Sequence, residues 1–144
     1  MVRDVPLKEE DELVDLGCGL GRVVILAHLL SGARARGIEI QGHLVRAGRA
    51  LTSELALPAV SFVHANVADV EIDGSVFFLY APFNGETLRR SLQRLRSLAE
   101  RKPIVVCAVG IEFRDEGWLL PRSTSSVALT IYGSRRWGGG PRLP

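Results

Sequence analysis

Three glycines lie between a short apolar run and a helical pattern in the stretch VDLGCGLGRVVILA. Gly17 permits a tight turn at this junction, and Gly19 lets a ligand approach the backbone closely. Gly21 allows the following helix to pack near the strand. Because N–H groups at the start of a helix can hold a carboxylate or a phosphate, the loop predicts a ligand site. A plain tight turn is the alternative, since it would also use glycine.

Two acidic residues accompany this loop. Asp15 precedes it, and Glu39 lies at the tip of the second predicted strand, which ends in GIEI. A carboxylate at that place can accept hydrogen bonds from both ribose hydroxyls of a nucleotide. The dinucleotide fingerprint has the form GxGxxG, but Arg22 occupies the place of its third glycine. Because Glu39 lies at a strand tip that follows a glycine loop, it is predicted to bind ribose. The alternative is a glutamate that is simply solvated at the end of the strand.

Alternating strands and helices must position these residues. The apolar periodicity predicts five strands, at 12–16, 33–40, 59–65, 75–81 and 103–110, and three helices, at 20–30, 41–55 and 85–99. Strands that are apolar on both faces belong in a parallel sheet, and the alternation indicates βαβ units. Two more strands, in GWLLP and VALTIYG, predict an antiparallel hairpin at the sheet edge.

Composition excludes several classes of protein. The 144 residues suit one domain, with 47% hydrophobic and 24% charged residues. A net charge of +2 does not predict nucleic-acid binding. The sequence has neither an apolar run of about 18 residues nor a signal peptide, so no membrane association is predicted. Scattered histidines predict no metal site, and two distant thiols, Cys18 and Cys107, predict a cytoplasmic protein.

The motifs together resemble those of a known family. VDLGCGLGRV and GIEI resemble the first two motifs of the class I, Rossmann-like S-adenosylmethionine-dependent methyltransferases. FVHANVADV resembles the third motif and VFFLYAPF the fourth, so the resemblance covers roughly Leu13 to Val109. It implies a methyltransferase whose fold is a doubly wound α/β sandwich. The sheet is expected to be mostly parallel, in the order 3-2-1-4-5 with the C-terminal antiparallel hairpin added.

The resemblance also implies where the cofactor S-adenosylmethionine lies. Its methionine part is expected over the glycine loop near Asp15, and its ribose at Glu39, with Gln41 or Ile40 beside the adenine. Asn66 stands where the family often has an aspartate facing the adenine amino group. Asp69 is the competing candidate, and a turn role for Asn66 is the alternative. The full set of expected cofactor-binding residues is Asp15, Gly17, Cys18, Gly19, Gly21, Glu39, Ile40, Asn66, Val67 and Tyr80.

The methyl acceptor is expected where the fourth strand ends, in YAPFNGE. Tyr80 offers an aromatic wall and Pro82 fixes the turn, while Phe83 either shields the reacting pair from water or fills the core. Asn84 is predicted to cap the third helix. Family members that methylate bases or glutamine often carry a polar residue and two prolines here, so Tyr80 and Ala81 argue against a nucleobase. The predicted acceptor is a protein lysine or a small molecule.

Two other functions stay open. One is a nicotinamide-dependent oxidoreductase, against which Arg22 counts. The other is a cofactor-binding module without catalysis, because family members usually have helices before the first strand that cover the cofactor. Residues 1–134 are predicted to form one domain lacking this cover, and residues 135–144 a flexible tail. The sequence predicts no oligomeric state and no partner besides the methyl acceptor.

Polar residues near the expected site also have structural interpretations. Four arginines of the third predicted helix are predicted to be its solvated face rather than a contact for nucleic acid: Arg89, Arg90, Arg94 and Arg96. His64 lies close to the expected adenine pocket, where a structural role is predicted.

Overall fold

The computed structural model describes residues 1, 3–80, 83 and 85–135. The strands in this part of the chain are β1 (Glu12–Leu16), β2 (Arg34–Glu39), β3 (Val60–His64), β4 (Val76–Tyr80), β5 (Val105–Val109), β6 (Leu119–Arg122) and β7 (Leu129–Ser134). The helices are α1 (Arg22–Ser31), α2 (Gly42–Glu54) and α3 (Gly85–Ala99). One mixed sheet contains the strands in the order β3-β2-β1-β4-β5-β7-β6.

The sheet topology confirms the predicted doubly wound fold. Strands β1 to β5 pair in parallel, and β7 pairs antiparallel with both β5 and β6. The chain winds outward from β1 through β2 to β3, and then in the other direction through β4 to β5. In open α/β sheets, ligands bind beyond the carboxyl ends of the strands where the order reverses. The topology therefore predicts a ligand site at the carboxyl ends of β1, β2 and β4.

Two apolar layers enclose the central strand. Leu13 of β1 belongs to the layer beneath α1 and α2, whereas Val14 and Leu16 belong to the layer beneath α3. Burial on both faces explains why β1 is a nearly continuous apolar run. Because strand side chains alternate, Asp15 points to the same side as Leu13 and enters the α1–α2 layer.

The start of α1 depends on Gly21. This residue has φ of 79°, in the left-handed region, and helix α1 follows directly. A Cβ atom at Gly21 would collide with the Phe62 ring of β3, so only glycine lets the helix begin this close to the sheet. The predicted packing role of Gly21 is confirmed. Helix α1 begins at Arg22 rather than at residue 20 because the left-handed residue interrupts the helical pattern.

The segment before β1 packs on the sheet. Val5 and Leu7 are buried in the α1–α2 layer, and a carboxylate oxygen of Asp4 accepts a 2.8 Å hydrogen bond from the Ser125 N–H. At the other end, the Arg135 N–H donates to the Trp118 carbonyl at 3.0 Å. The rest of the expected tail, residues 136–144, lies outside the described residues. No helix in the described part of the chain is long and apolar enough to span a membrane.

Candidate functional site

A cavity of about 410 Å³ lies at the carboxyl ends of β1, β2 and β3. Six of the residues expected to bind the cofactor line it: Gly17, Gly19, Glu39, Ile40, Asn66 and Val67. Gln41, which was expected beside the adenine, also lines it, together with Ile38, Ala65, Phe83 and Thr87. A larger and more open groove, of about 660 Å³, lies between α2 and β3, but its described lining contains no acidic residue and no loop glycine. The residues that line the smaller cavity therefore make it the better candidate for the ligand site.

The glycine loop, residues 17–21, is held by hydrogen bonds between backbone groups. The N–H groups of Gly17 and Cys18 donate to the Ile38 carbonyl at 2.9 and 3.0 Å, and the Gly21 N–H donates to the Cys18 carbonyl at 2.9 Å. Gly19 has φ of 56°, and a Cβ atom there would have no neighbour within 4 Å among the described residues. The backbone at Gly19 consequently faces open space, where a ligand can approach it closely.

Glu39 connects this loop to the turn between β2 and α2. Its Oε2 accepts a 2.9 Å hydrogen bond from the Gly19 N–H, and its Oε1 accepts a 2.8 Å bond from the Gln41 N–H. The side chain is 6% exposed, so the alternative of a solvated strand-end glutamate is wrong. Since a carboxylate has about four lone-pair positions, both oxygens can still accept a further hydrogen bond from a ligand.

Asp15 is a second, deeper carboxylate. It is 3% exposed, and no described residue donates a hydrogen bond to its carboxylate. Burial, and then the charge of Glu39, raise the pKa of Asp15 to about 7. A buried carboxylate without a partner is costly when ionised, so a cationic ligand near it would be stabilising.

Cys18 is not a nucleophile. Its side chain lies over Gly37 of β2. Burial, followed by the charges of Asp15 and Glu39, raises the pKa of this thiol to about 12, so it stays protonated at neutral pH. The described residues contain no group of three or more His, Cys, Asp or Glu side chains that could hold a metal ion.

Asn66 begins the turn after β3, residues 66–70, and its contact with adenine stays a prediction. Its Oδ1 accepts a 2.9 Å hydrogen bond from the Ala68 N–H, so it is a turn residue, and it also lines the cavity. The competing candidate, Asp69, is exposed and pairs with Arg90 at 2.8 Å, outside the described lining of the cavity. His64 has the structural contact that was predicted, with Nε2 lying 2.9 Å from the Ile40 carbonyl oxygen.

The expected acceptor residues are less closely assembled. Tyr80 is 67% exposed at the end of β4 and is not part of the cavity's described lining. Phe83 lines the cavity and packs against the layer beneath α3, and its role in shielding the reacting pair stays a prediction. Pro82 and Asn84 lie outside the described residues. Asp15, at the end of β1, and the loop residues Cys18 and Gly21 are not part of the cavity's described lining.

Sequence reasoning missed two contributions of α3. Thr87 lines the cavity, and Arg94 donates from Nε to the Ala68 carbonyl at 2.8 Å. Arg89 pairs with Glu86 of the same helix and Arg96 with Glu100 just after it, as expected of a solvated face. That prediction is wrong for Arg94, which is partly buried against the turn. The four-residue spacing of Arg90 and Arg94 places both on one side of the helix, but it does not distinguish a contact with the turn from a solvated face.

Comparisons with known proteins agree with this geometry. No family model matches the chain. Methyltransferase phqN of Penicillium fellutanum is 32% identical over 74 residues, which are 51% of this chain and 23% of that protein. The crystal structure of an RNA methyltransferase from Salinibacter ruber in complex with S-adenosyl-L-homocysteine matches with a TM-score of 0.68 and 28% identity, over 92% of this chain and 85% of that chain. The predicted resemblance to class I methyltransferases is confirmed.

A third comparison shows the methyltransferase fold alone. A SAM-dependent methyltransferase from Aquifex aeolicus has a TM-score of 0.66 and 16% identity, over 89% of this chain and 83% of that chain. At this identity the strand order is what the two proteins share. The matched segment of phqN spans less than a quarter of that relative, so the activity of the whole relative does not transfer directly.

Proposed function

We propose that the chain binds S-adenosylmethionine in the cavity and transfers its methyl group to an acceptor at the end of β4. The observation that carries the proposal is the bond from the Gly19 N–H to Glu39. In a dinucleotide site, N–H groups of this loop face a pyrophosphate. Here the Gly19 N–H already donates its hydrogen bond to the Glu39 carboxylate, and the Asp15 carboxylate lies nearby. Two acids repel a diphosphate and attract a cation.

The residues at the nucleoside end of the site, Glu39, Ile40, Asn66 and Val67, fit an adenosine. The free lone pairs of Glu39 accept the ribose hydroxyls. Ile40 is 61% exposed and offers the adenine an apolar surface. Asn66 supplies an amide to the edge of the base.

The methionine end of the cofactor lies over Gly17 and Gly19. Asp15 below the loop stabilises the positive charge of the ligand by Coulomb attraction across a poorly solvated region. When bound, S-adenosylmethionine would supply a sulfonium methyl group: an aligned acceptor would bond to the methyl carbon as the carbon–sulfur bond breaks, and S-adenosylhomocysteine would leave. The chain contributes mainly position, which is worth roughly 7–11 kcal/mol when two reactants are well oriented. Phe83 keeps water from the reacting groups.

The acceptor end of the site consists of Tyr80 and Phe83. An exposed aromatic side chain at the end of β4 suits a protein lysine or a small molecule that stacks against it. The two cysteines are free thiols, which accords with a cytoplasmic location. Because the Salinibacter ruber relative is an RNA methyltransferase, RNA is the acceptor class against which this proposal is tested.

Calorimetry with S-adenosylmethionine, S-adenosylhomocysteine and NAD tests the cofactor. We expect binding of both sulfur compounds and none of NAD; the reverse result would refute the proposal. Transfer of a labelled methyl group to lysine peptides, small amines and RNA then tests the acceptor. Labelling of RNA alone would replace the proposed acceptor class. Binding without transfer to any class would favour a cofactor-binding module without catalysis.

A further inference from the structure

The turn after β3 is held by α3 through two arginines that lie outside the described lining of the cavity. Arg94 donates from Nε to the Ala68 carbonyl at 2.8 Å, and Arg90 pairs with Asp69 at 2.8 Å. Within the turn, the N–H groups of Asp69 and Val70 donate to the Asn66 carbonyl at 2.9 and 3.2 Å. Arg90 and Arg94 are four residues apart on one side of α3. The helix therefore holds Asp69 and Ala68 at a fixed distance from each other.

The bond from Arg94 is the stronger of these external contacts. Ala68 is 2% exposed, so its carbonyl has little access to water. A buried carbonyl that loses its donor pays the full cost of desolvation. A guanidinium donor is charged, which makes the bond stronger than one between neutral groups. The pair of Arg90 with Asp69 is much more exposed and is screened by solvent.

The same turn fixes the orientation of the Asn66 amide. The Ala68 N–H can only donate, so the side-chain atom that faces it must be the amide oxygen. The NH₂ group is thereby fixed on the other side of the amide. An NH₂ group held in this orientation can donate to the unprotonated N1 of adenine but not to the N1–H of hypoxanthine, whereas an amide free to rotate can satisfy either base.

We propose that Arg94 is a positioning residue that holds the turn after β3 and so makes the nucleoside end selective for adenine. The inference rests on the proposed function, since it concerns the base of the same cofactor. Arg94 does not touch the ligand; it acts through Ala68 on the orientation of Asn66.

The test compares two ligands in four proteins. S-adenosylhomocysteine carries adenine, and S-inosylhomocysteine carries hypoxanthine, which has a carbonyl where adenine has its amino group. Arg94→Met removes the donor and keeps most of the apolar stem. Arg94→Lys restores a charged donor. Arg96→Met is the matched control, because Arg96 is exposed on the same helix and faces Glu100. Calorimetry gives the affinities, and hydrogen exchange of the Ala68, Asp69 and Val70 amides reports on the turn.

For Arg94→Met we expect faster exchange at these amides and about tenfold weaker binding of S-adenosylhomocysteine, since one hydrogen bond is worth about that factor. The hypoxanthine ligand should weaken less, so that the ratio of the two affinities falls towards one. Arg94→Lys should recover part of the ratio, and Arg96→Met should equal the parent.

Two results would overturn the inference alone: unchanged amide exchange in Arg94→Met, or equal weakening of both ligands with the ratio preserved, which is what a general loss of stability produces. A parent protein that binds neither ligand overturns the proposed function and this inference with it.

Discussion

The nucleoside end and the acceptor end of the site are built in different ways. At the nucleoside end, Glu39 and Asn66 each accept backbone hydrogen bonds of 2.8–2.9 Å, and their positions are set before any ligand binds. At the acceptor end, Tyr80 is 67% exposed, and no described residue bonds to its hydroxyl. Under the proposed function, the contrast indicates that this chain specifies its cofactor closely and that the proposed acceptor site is completed by what binds there.

The largest effect is expected from Glu39→Ala, which removes the residue on which the nucleoside end depends. Two charge-assisted hydrogen bonds to ribose are lost, at roughly 1.5–3 kcal/mol each. Calorimetry should show S-adenosylhomocysteine binding weakened by about 100-fold or more. The matched control is Glu54→Ala, an exposed glutamate at the end of α2. Unchanged affinity in a folded Glu39→Ala protein would show that the nucleoside end is assigned wrongly.

Asp15→Asn should stabilise the protein at alkaline pH. The pKa of Asp15 is raised to about 7 in the folded chain, so its contribution to stability is full below its unfolded pKa and is lost as the pH rises through 7. The neutral amide avoids this loss. Urea unfolding at pH 8 should show a gain of about 2–4 kcal/mol, and less than half of that gain at pH 5. A gain of equal size at both pH values would mean that Asp15 does not titrate in this range.

Asp15→Asn also tests the part of the site between the two ends, where the sulfonium is proposed to lie. Ionised Asp15 attracts S-adenosylmethionine more than S-adenosylhomocysteine, which lacks the sulfonium charge. In the parent, the affinity ratio of the two ligands should rise by up to about tenfold as the pH passes 7, a change of about 1.4 kcal/mol. In Asp15→Asn it should stay level, and Asp115→Asn should behave like the parent. A level ratio in the parent would place the sulfonium away from Asp15.

The smallest effect on cofactor binding is expected at the acceptor end. Tyr80→Ala should change S-adenosylhomocysteine affinity by less than about threefold, because an exposed side chain outside the cavity contributes little. Turnover with an identified acceptor should fall in Tyr80→Ala and in Phe83→Ala. Tyr80→Phe separates the aromatic wall from the hydroxyl. Full turnover in both alanine variants would place the acceptor elsewhere, and a large loss of cofactor affinity in Tyr80→Ala would remove the contrast between the two ends.

Local sequence signals predicted the fold and the four residues that line the nucleoside end of the cavity, but not the contacts by which α3 holds the turn after β3. The bounds of β1 and α3 match the predicted ones because apolar periodicity and flanking glycines mark both elements. The glycine loop and Glu39 were predictable since each lies at the end of a strand. The bond between Arg94 and Ala68 joins residues 26 positions apart, and a polar residue on an amphipathic helix gives no sign of such a contact. Likewise, the exposure of Tyr80 depends on how β4 ends in three dimensions.

The hydrogen bond that Glu39 accepts from the glycine loop also bears on how quickly the cofactor is exchanged. Since the loop already has its shape in the free protein, a ligand does not wait for the backbone to order. Association is then set by diffusion and by attraction of a cation towards the two acids, and it slows as salt is added. A substitution in the pocket should therefore change the affinity mainly through the dissociation rate of the ligand rather than through its association rate.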